Sequence, residues 1–233
     1  MKYETTTVNG YKVHVCRVTL SDYLDVVLPS NPLNERSLAD INHPSKTVLA
    51  KTNCGIFTMG IGTSSTSVQD YHRGAFYAQG TWKNKARDDY HTLLCYNNGK
   101  STILDNPSRV NEILSDNIAS IPRNSVRFAI GVPLVLIKND VLTDVKKEPL
   151  YNHFGGNKTM RTMLGIKLNG EAILVVAEGG FNAQDCQDYM RNFGLNNAVM
   201  LDGGGSSQMI VDGSWKYMNG GRKITSIVTI CTK

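Results

Sequence analysis

A run of three glycines between two apolar segments constrains this 233-residue chain more than any other feature. Residues 198–201 form a short apolar run of the buried-strand type, and it stops at Asp202, three glycines and two serines. A second apolar run, 208–211, leads into an Asp-Gly turn at 212–213. A carboxylate is therefore held at a strand end, beside backbone N–H groups that no side chain shields.

The residues after this carboxylate suit an anionic or hydroxyl-rich ligand. Gly203, Gly204 and Gly205 permit positive φ angles and let a ligand approach the main chain. The hydroxyls of Ser206 and Ser207 add hydrogen-bond donors. A flexible Gly-Ser hairpin is the alternative, but linkers are rarely framed by an apolar strand on each side.

Composition and charge indicate a globular protein with an ordinary core. The apolar fraction is 41% and the charged fraction 19%, as in most soluble domains. The formal charge of +5 suits an anionic substrate, but the basic residues are scattered and form no nucleic-acid-binding stripe. No apolar run approaches membrane-spanning length. We therefore expect no nucleic-acid partner and no membrane partner.

The cysteines and the first residues indicate the compartment. Five cysteines, an odd number without a C-x-x-C pair, argue against a disulfide framework and a zinc ribbon. Buried free thiols in a reducing compartment are expected instead. Residues 1–7 lack the apolar core of a signal peptide. We expect a protein that is cytoplasmic at synthesis.

Hydrophobic periodicity predicts the elements. Strands are expected at 11–18, where Lys12 and His14 lie on the polar face, and at 23–28, 48–51, 92–96 and 101–104. Helices are expected at 110–120, capped by Ser108, and at 183–193, capped by Asn182. The expected fold class is α+β: a single domain with a mixed, mostly antiparallel sheet, packed by two or more helices, with long loops at the ligand side. Residues 1–46 are expected to add strands and a loop to the domain formed by residues 47–233.

Several segments match the motifs of one known family. The sequence Leu-Asp-Gly-Gly-Gly-Ser-Ser at 201–207 resembles the signature of the phosphodiester glycosidase family. The strand beginning at Arg161 resembles the family's Arg-Thr-Ala-x-Gly segment, and Asn-Cys-Gly-Ile-Phe at 53–57 is similar to its Asn-Gly-Gly-Phe-Phe. Glu178 stands where members tend to have Asp before Gly. Residues 222–226 loosely match the final motif.

The resemblance implies a hydrolase that cleaves the anomeric C–O bond of a glycosyl-1-phosphodiester with an N-acetylglucosamine-like sugar. Such a bond breaks through an oxocarbenium-like transition state. The leaving phosphate monoester has a second pKa of about 6 and departs with little protonation. The site then requires a carboxylate, groups that bind phosphate, and hydrogen bonds to the sugar. Bacterial cell-surface glycopolymers contain this linkage and are expected partners.

The resemblance and the positions of the strand ends predict three catalytic residues. Asp202 is the first carboxylate, acting as base, nucleophile or charge stabiliser. Glu178 is the second, because the strands ending at the two residues are expected to be neighbours; a solvated turn residue is the alternative. Arg161 is expected to clamp the phosphate with its planar fork, and a structural ion pair is the alternative.

Other residues are expected to bind substrate. Asn53, Ser206 and Ser207 are candidates for sugar hydroxyls or phosphate oxygens, and the N–H groups of 203–207 for an anion nest. Asn53 has a turn cap as its alternative. His153, before the Arg161 strand, is a candidate for proton transfer. No cofactor is required, although the two carboxylates and Asn53 suit a divalent cation such as Ca²⁺ or Mg²⁺.

A non-catalytic carbohydrate- or phosphate-binding module is the alternative function. The altered segment 53–57 and the replacement at Glu178 leave room for it. A structural or receptor-binding component of a phage is one example. The lack of a signal peptide also fits a phage protein that acts after lysis or within a virion. Turnover of a sugar phosphodiester separates the two functions.

Overall fold

Strands dominate this structure, a computed structural model that describes residues 1–19, 22–28, 36–56, 73–115 and 125–232. Of the described residues, 49% lie in strands and 17% in helical turns. The expected α+β class is therefore wrong, and the fold is mostly β.

The strands of the described residues are β1 (Lys2–Val8), β2 (Tyr11–Val18), β3 (Asp22–Val27), β4 (Val48–Asn53), β5 (Phe76–Ala78), β6 (Thr81–Asn84), β7 (His91–Tyr96), β8 (Ser101–Leu104), β9 (Val126–Val132), β10 (Leu134–Lys138), β11 (Val141–Leu142), β12 (Thr159–Ile166), β13 (Ala172–Phe181), β14 (Asn197–Met200), β15 (Gln208–Val211), β16 (Ser214–Met218) and β17 (Ile227–Thr232).

These strands form three sheets, and every pairing among the described residues is antiparallel. Sheet A has the order β1-β2-β13-β12-β14-β10-β11, sheet B the order β16-β15-β4-β17-β3, and sheet C the order β6-β5-β9-β7-β8. The expectation of a mixed sheet was thus wrong. The N-terminal strands are integrated into the fold, because β2 pairs with β13 and β3 pairs with β17.

The helix α1 (Pro107–Leu114) is shorter than expected and starts earlier. Asn106, rather than Ser108, caps it, because its side chain accepts a hydrogen bond from the N–H of Arg109 at 3.1 Å. Proline at the first helical position has no N–H to leave unsatisfied. The predicted continuation over 116–120 lies outside the described residues.

The helix α2 (Ala183–Met190) begins where predicted. Asn182 accepts from the N–H of Asp185, and the Asp185 carboxylate accepts from the N–H of Asn182, both at 2.9 Å. This reciprocal capping box fixes the first turn. The predicted last residues, 191–193, form a 3₁₀ turn instead, and Gly194 ends it with a φ of 62°.

The core explains why two helices do not make an α+β fold. α2 covers the outer face of sheet A through Cys186 and Met190, and α1 covers sheet C through Val110 and Ile113. Each helix has only eight residues, so neither forms a layer across a whole sheet. The main core lies between the sheets, where apolar residues of all three meet; it includes Leu164, Val176, Met209, Ile230, Leu93 and Phe128.

The segment that carries the three glycines is a crossing between two sheets. It leaves sheet A at the end of β14 and enters sheet B at β15, and these two strands do not pair with each other. The alternative of a flexible Gly-Ser hairpin was therefore wrong. Both flanking strands are buried, which fixes the two ends of the segment.

The cysteines are free and buried, as their odd number predicted. Burial raises the pKa of every one of these thiols, so the neutral form is favoured. Among the described residues no helix has the length and apolar character to cross a membrane. The free, buried cysteines are Cys16, Cys54, Cys95, Cys186 and Cys231.

Candidate active site

Asp202 opens the crossing and is held by the ends of neighbouring strands. Its N–H donates to the carbonyl of Cys54 at 3.0 Å, and the preceding Leu201 N–H donates to the carbonyl of Thr162 at 2.9 Å. Asp202 is partly exposed as a residue, although its carboxyl lies deep in the fold. Burial raises the pKa of its carboxyl from an ordinary 3.8 to about 6, against the opposing effects of Ser206, Arg222 and the Gly203 N–H.

The three glycines form a tight turn directly below this carboxyl. Gly204 has a φ of 56°, which a residue with a Cβ adopts only at a cost. The N–H groups of Ser206 and Ser207 donate to the carbonyls of Gly203 and Gly204, both at 3.1 Å. These two N–H groups of the predicted anion nest are thus engaged within the turn. The Gly203 N–H lowers the pKa of the Asp202 carboxyl.

An arginine lies against each end of the turn, and Arg222 leaves little space for a Cβ on Gly205. A Cβ on Gly205 would lie 2.8 Å from Cζ of Arg222, and one on Gly203 would lie 3.5 Å from Nη1 of Arg161. The exposed Arg222 also reaches the hydroxyl of Ser206 with Nη1 at 3.5 Å. The turn is therefore bracketed by positive charge.

Arg161 is a buried cation with no anionic partner among the described residues. It is 5% exposed, and its Nε and Nη2 donate to the carbonyls of Phe181 and Asn157 at 3.0 and 2.5 Å. No carboxylate of the described residues lies within 4 Å of its guanidinium, so the alternative of a structural ion pair finds no partner there. Its Nη1 faces Gly203. The role as a phosphate clamp stays a prediction.

Asn53 connects the turn to both sheets. Its Nδ2 donates to the carbonyl of Asp202 at 2.5 Å, and its Oδ1 accepts from Thr162 Oγ1 at 2.9 Å and from the Gln208 N–H at 3.3 Å. Ser207 Oγ lies 3.2 Å from the same Thr162 hydroxyl. Asn53 and Ser207 are almost completely buried and hold the turn in this structure. Direct contact with a sugar stays a prediction for both.

The prediction that the strands of Glu178 and Asp202 are neighbours was wrong. Glu178 lies within β13, Asp202 follows β14, and β12 lies between these strands. The pattern of strand ends gave no information on which strands pair. Glu178 is also no solvated turn residue, because its Oε1 lies 2.8 Å from His14 Nε2. Its side chain is 30% exposed.

Strand register nevertheless puts Glu178 on the face of sheet A that carries the turn. Thr162, which contacts Asn53 and Ser207, lies opposite Val176 on β13. His14 also lies opposite Val176, on β2, and residues opposite each other share a face; the His14 side chain lies 2.8 Å from Glu178 Oε1. The carboxylate of Glu178 therefore belongs to the same side of the sheet as the glycine turn.

His153 lies apart from these groups. It occupies a π-helical turn (Tyr151–Gly155), is exposed, and its ring contacts Phe154 edge-on at 6.4 Å. None of its contacts within the described residues reaches Asp202 or the turn. Its role in proton transfer stays a prediction.

Sequence reasoning missed two residues of this region. Arg222 was noted only as part of a loosely matched motif, and that motif was the signal that could have identified it. His14 was assigned to a polar face, but it is 3% exposed, since both faces of sheet A are covered. The last residue of the altered segment, Phe57, lies outside the described residues.

Metal binding is not decided by the arrangement. Within the described ranges, no three His, Cys, Asp or Glu side chains cluster in a way that could hold a metal ion. A divalent cation that uses the Asn53 amide would have to displace its protein partners. The cation stays a prediction.

Comparison with known proteins gave one family and several structures. The family model described as phosphodiester glycosidase matches residues 47–230. No curated protein matches the chain significantly. The chain is similar in structure to the zebrafish N-acetylglucosamine-1-phosphodiester alpha-N-acetylglucosaminidase catalytic domain, auto-inhibited by its pro-peptide. The TM-score is 0.74 and the sequence identity 16%, and the match covers 100% of this chain and 82% of that chain. A hypothetical protein from Synechocystis gives a TM-score of 0.70 and 12% identity over 99% of this chain and 61% of that chain. These likenesses show the fold.

Proposed function

We propose, because the chain belongs to the phosphodiester glycosidase family, that it hydrolyses the anomeric C–O bond of a glycosyl-1-phosphodiester. The family supports a glycosidase-type hydrolase, and the finer substrate is our inference. The observation that carries it is a buried carboxyl, Asp202, on a glycine turn bracketed by two guanidinium groups.

The charge distribution around the turn fits the leaving group. A phosphate monoester leaves with little need of a proton, because its second pKa is about 6. It requires positive charge instead, and guanidinium groups bind phosphate oxygens with a matching planar fork. Arg222 supplies this charge at the exposed end of the turn, and Nη1 of Arg161 supplies it at the buried end.

The carboxylates act on the sugar side. Above pH 6 Asp202 is ionised, and its negative charge stabilises an oxocarbenium-like transition state or forms a bond to the anomeric carbon. Glu178, on the same face of sheet A, is the second carboxylate and receives the proton of the attacking water. Together the two carry out displacement at carbon, with phosphate as the leaving group.

An N-acetylglucosamine-like sugar is the first substrate to test, because the zebrafish protein is named for that sugar. A bacterial cell-surface glycopolymer linked through sugar-1-phosphodiesters is the larger substrate that we propose. The moderate positive charge of the chain, +5, favours association with such a polyanion.

The test measures which bond breaks. The protein is incubated in oxygen-18 water with UDP-N-acetylglucosamine and with an alkyl N-acetylglucosamine-1-phosphodiester, and products are read by mass spectrometry. Asp202→Asn removes the charge and keeps the shape. Asp212→Asn is the matched control, because Asp212 is exposed in the turn at the far end of β15.

The outcomes separate the possible functions. Labelled free sugar from the wild type and the Asp212→Asn variant, but not from Asp202→Asn, is the expected result. Labelled phosphate or sugar phosphate would show attack at phosphorus and overturn the proposal. Binding without any product would favour a non-catalytic carbohydrate-binding module, for which the altered segment 53–57 leaves room.

A further inference from the structure

A chain of three hydrogen-bonded side chains ends at Glu178. Tyr3 Oη lies 2.8 Å from Nδ1 of His14, and Nε2 of His14 lies 2.8 Å from Oε1 of Glu178. These residues come from three strands of sheet A, β1, β2 and β13, which are adjacent in that order. His14 is 3% exposed, so its imidazole contacts protein on nearly every side.

The geometry fixes which nitrogen of His14 carries the proton. A carboxylate only accepts hydrogen bonds, so Nε2 carries the proton and donates to Glu178, and Nδ1 accepts from the Tyr3 hydroxyl. Burial, with the nearby Cys16 and Glu178, raises the pKa of Tyr3 and keeps its phenol protonated. Tyr3 and Tyr217 stack against the imidazole with ring centroids 6.2 and 6.0 Å away. The ring is thus held in one plane and one tautomer.

Contacts of β16 link this chain of residues to the glycine turn. Tyr217 Oη donates to the carbonyl of Glu178 at 3.3 Å, and Asn219, two residues later, donates to the carbonyl of Gly204 at 3.3 Å. Glu178 Oε2 has no hydrogen bond to the described residues, and the side chain is 30% exposed. One carboxylate oxygen is therefore fixed by His14, and the other is available to a ligand.

Building on the proposed function, we propose that His14 is a positioning residue that orients Glu178 for proton transfer, with Tyr3 holding the imidazole at Nδ1. Glu178 accepts a proton from the attacking water as the new C–O bond forms and the phosphate leaves with the electron pair of the broken bond. The Nε2–H of His14 holds Oε1 in place, so that Oε2 faces the water.

The surroundings of His14 and its hydrogen-bond partners contain ionisable groups from four strands. They are Tyr3 on β1, Cys16 on β2, Glu178 on β13, and Lys216 and Tyr217 on β16.

The first test does not depend on turnover. Imidazole nitrogen-15 shifts of labelled protein report the tautomer of His14, with His14→Gln used to assign its signals. We expect the Nε2–H tautomer in the wild type and also in Tyr3→Phe, which keeps the stacked ring and the Glu178 acceptor. The Nδ1 shift should change in the variant, because the hydroxyl that donates to Nδ1 is removed. An Nδ1–H tautomer in the wild type would overturn the inference, even in a protein that hydrolyses sugar phosphodiesters.

The second test measures kinetics. We expect His14→Leu to lower kcat by about 10- to 100-fold with little change in KM, because it frees the carboxylate without touching the substrate. His14→Gln keeps a side-chain N–H for Glu178 and is expected to recover part of kcat. His91→Gln is the matched control for loss of a partly buried imidazole held by carboxylates elsewhere.

The outcomes keep the two proposals apart. A wild-type kcat and pH profile in folded His14→Leu would overturn the positioning role and leave the hydrolase intact. Absence of turnover in the wild type, with the expected tautomer present, would overturn the proposed function instead. Circular dichroism confirms folding, and Tyr3→Phe, whose packing is preserved, provides a second kinetic variant with an expected loss of about tenfold or less.

Discussion

Asp202→Asn should make the protein more stable at neutral pH while abolishing the proposed hydrolysis. Burial raises the pKa of the Asp202 carboxyl from 3.8 to about 6, so the folded chain binds the proton more tightly than the unfolded chain does. A rise of about two pH units, at about 1.4 kcal/mol each, corresponds to about 3 kcal/mol. This free energy is lost from folding when Asp202 ionises.

The sign of the effect sets the pH window. Below pH 3.8 the carboxyl is protonated in both states and contributes nothing to the difference. Between pH 3.8 and 6 the unfolded state ionises first, so stability falls as pH rises, and above pH 6 the full cost applies. The uncharged Asn variant avoids this cost. Its advantage over the wild type should approach about 3 kcal/mol at pH 7.5 and shrink toward pH 4.

Urea unfolding at pH 4.5 and pH 7.5 measures both free energies. Asp105→Asn is the control of opposite sign. Burial would raise the pKa of Asp105, but hydrogen bonds from Lys138 and His91 outweigh it and lower the pKa. That variant should lose stability at pH 7.5. An Asp202→Asn variant that is destabilised equally at both pH values would refute the assignment of Asp202 as a buried carboxylate held at a cost.

Three further variants test other parts of the structure. Burial alone would lower the pKa of His91, but two carboxylates outweigh burial and raise it. Protonated His91 therefore stabilises the folded protein below pH 6.5, and this stabilisation should be lost as the pH rises through the raised pKa. His91→Gln should remove this pH dependence of the unfolding free energy, measured with urea. A Cβ on Gly131 would lie 2.6 Å from a backbone Cα, so Gly131→Ala should lower the free energy of unfolding by about 3 kcal/mol. Gly156→Ala is the control, because its Cβ has its nearest contact at 3.9 Å and should change the melting temperature little. Arg222→Ala should lower kcat/KM by about tenfold or more, because a charged hydrogen bond to phosphate is lost; Lys223→Ala, its exposed neighbour, should not. Equal losses in the last pair would remove Arg222 from the site.

Local patterns in the sequence predicted individual elements well. The bounds of β2 and β8 coincide with their alternating segments, and α2 starts at the residue that its cap predicts. Alternation and capping depend on neighbours within a few residues, so they are readable from the chain. The class was wrong because helix length and sheet partition depend on tertiary packing, which such patterns do not record.

In the candidate site, too, residues in one continuous segment could be predicted, and residues brought together by tertiary packing could not. Asp202 and the glycines were nominated from one continuous stretch, and the family match over residues 47–230 agrees with the resemblance. His14 could not be nominated, because its partner Glu178 is 164 residues away and strand register alone brings them together. The period-2 pattern identified the faces of β2, but it gave no information that both faces are covered.

The amide of Asn53 also has a consequence for folding. It joins β4 of sheet B to Thr162 of sheet A and to the carbonyl of Asp202, a contact between residues 149 positions apart in the chain. Contacts of such large sequence separation are slow to form, because the entropy of loop closure opposes them. The glycine turn therefore acquires its shape only when the two sheets dock. An intermediate with each sheet formed separately would contain every site residue and still lack a site.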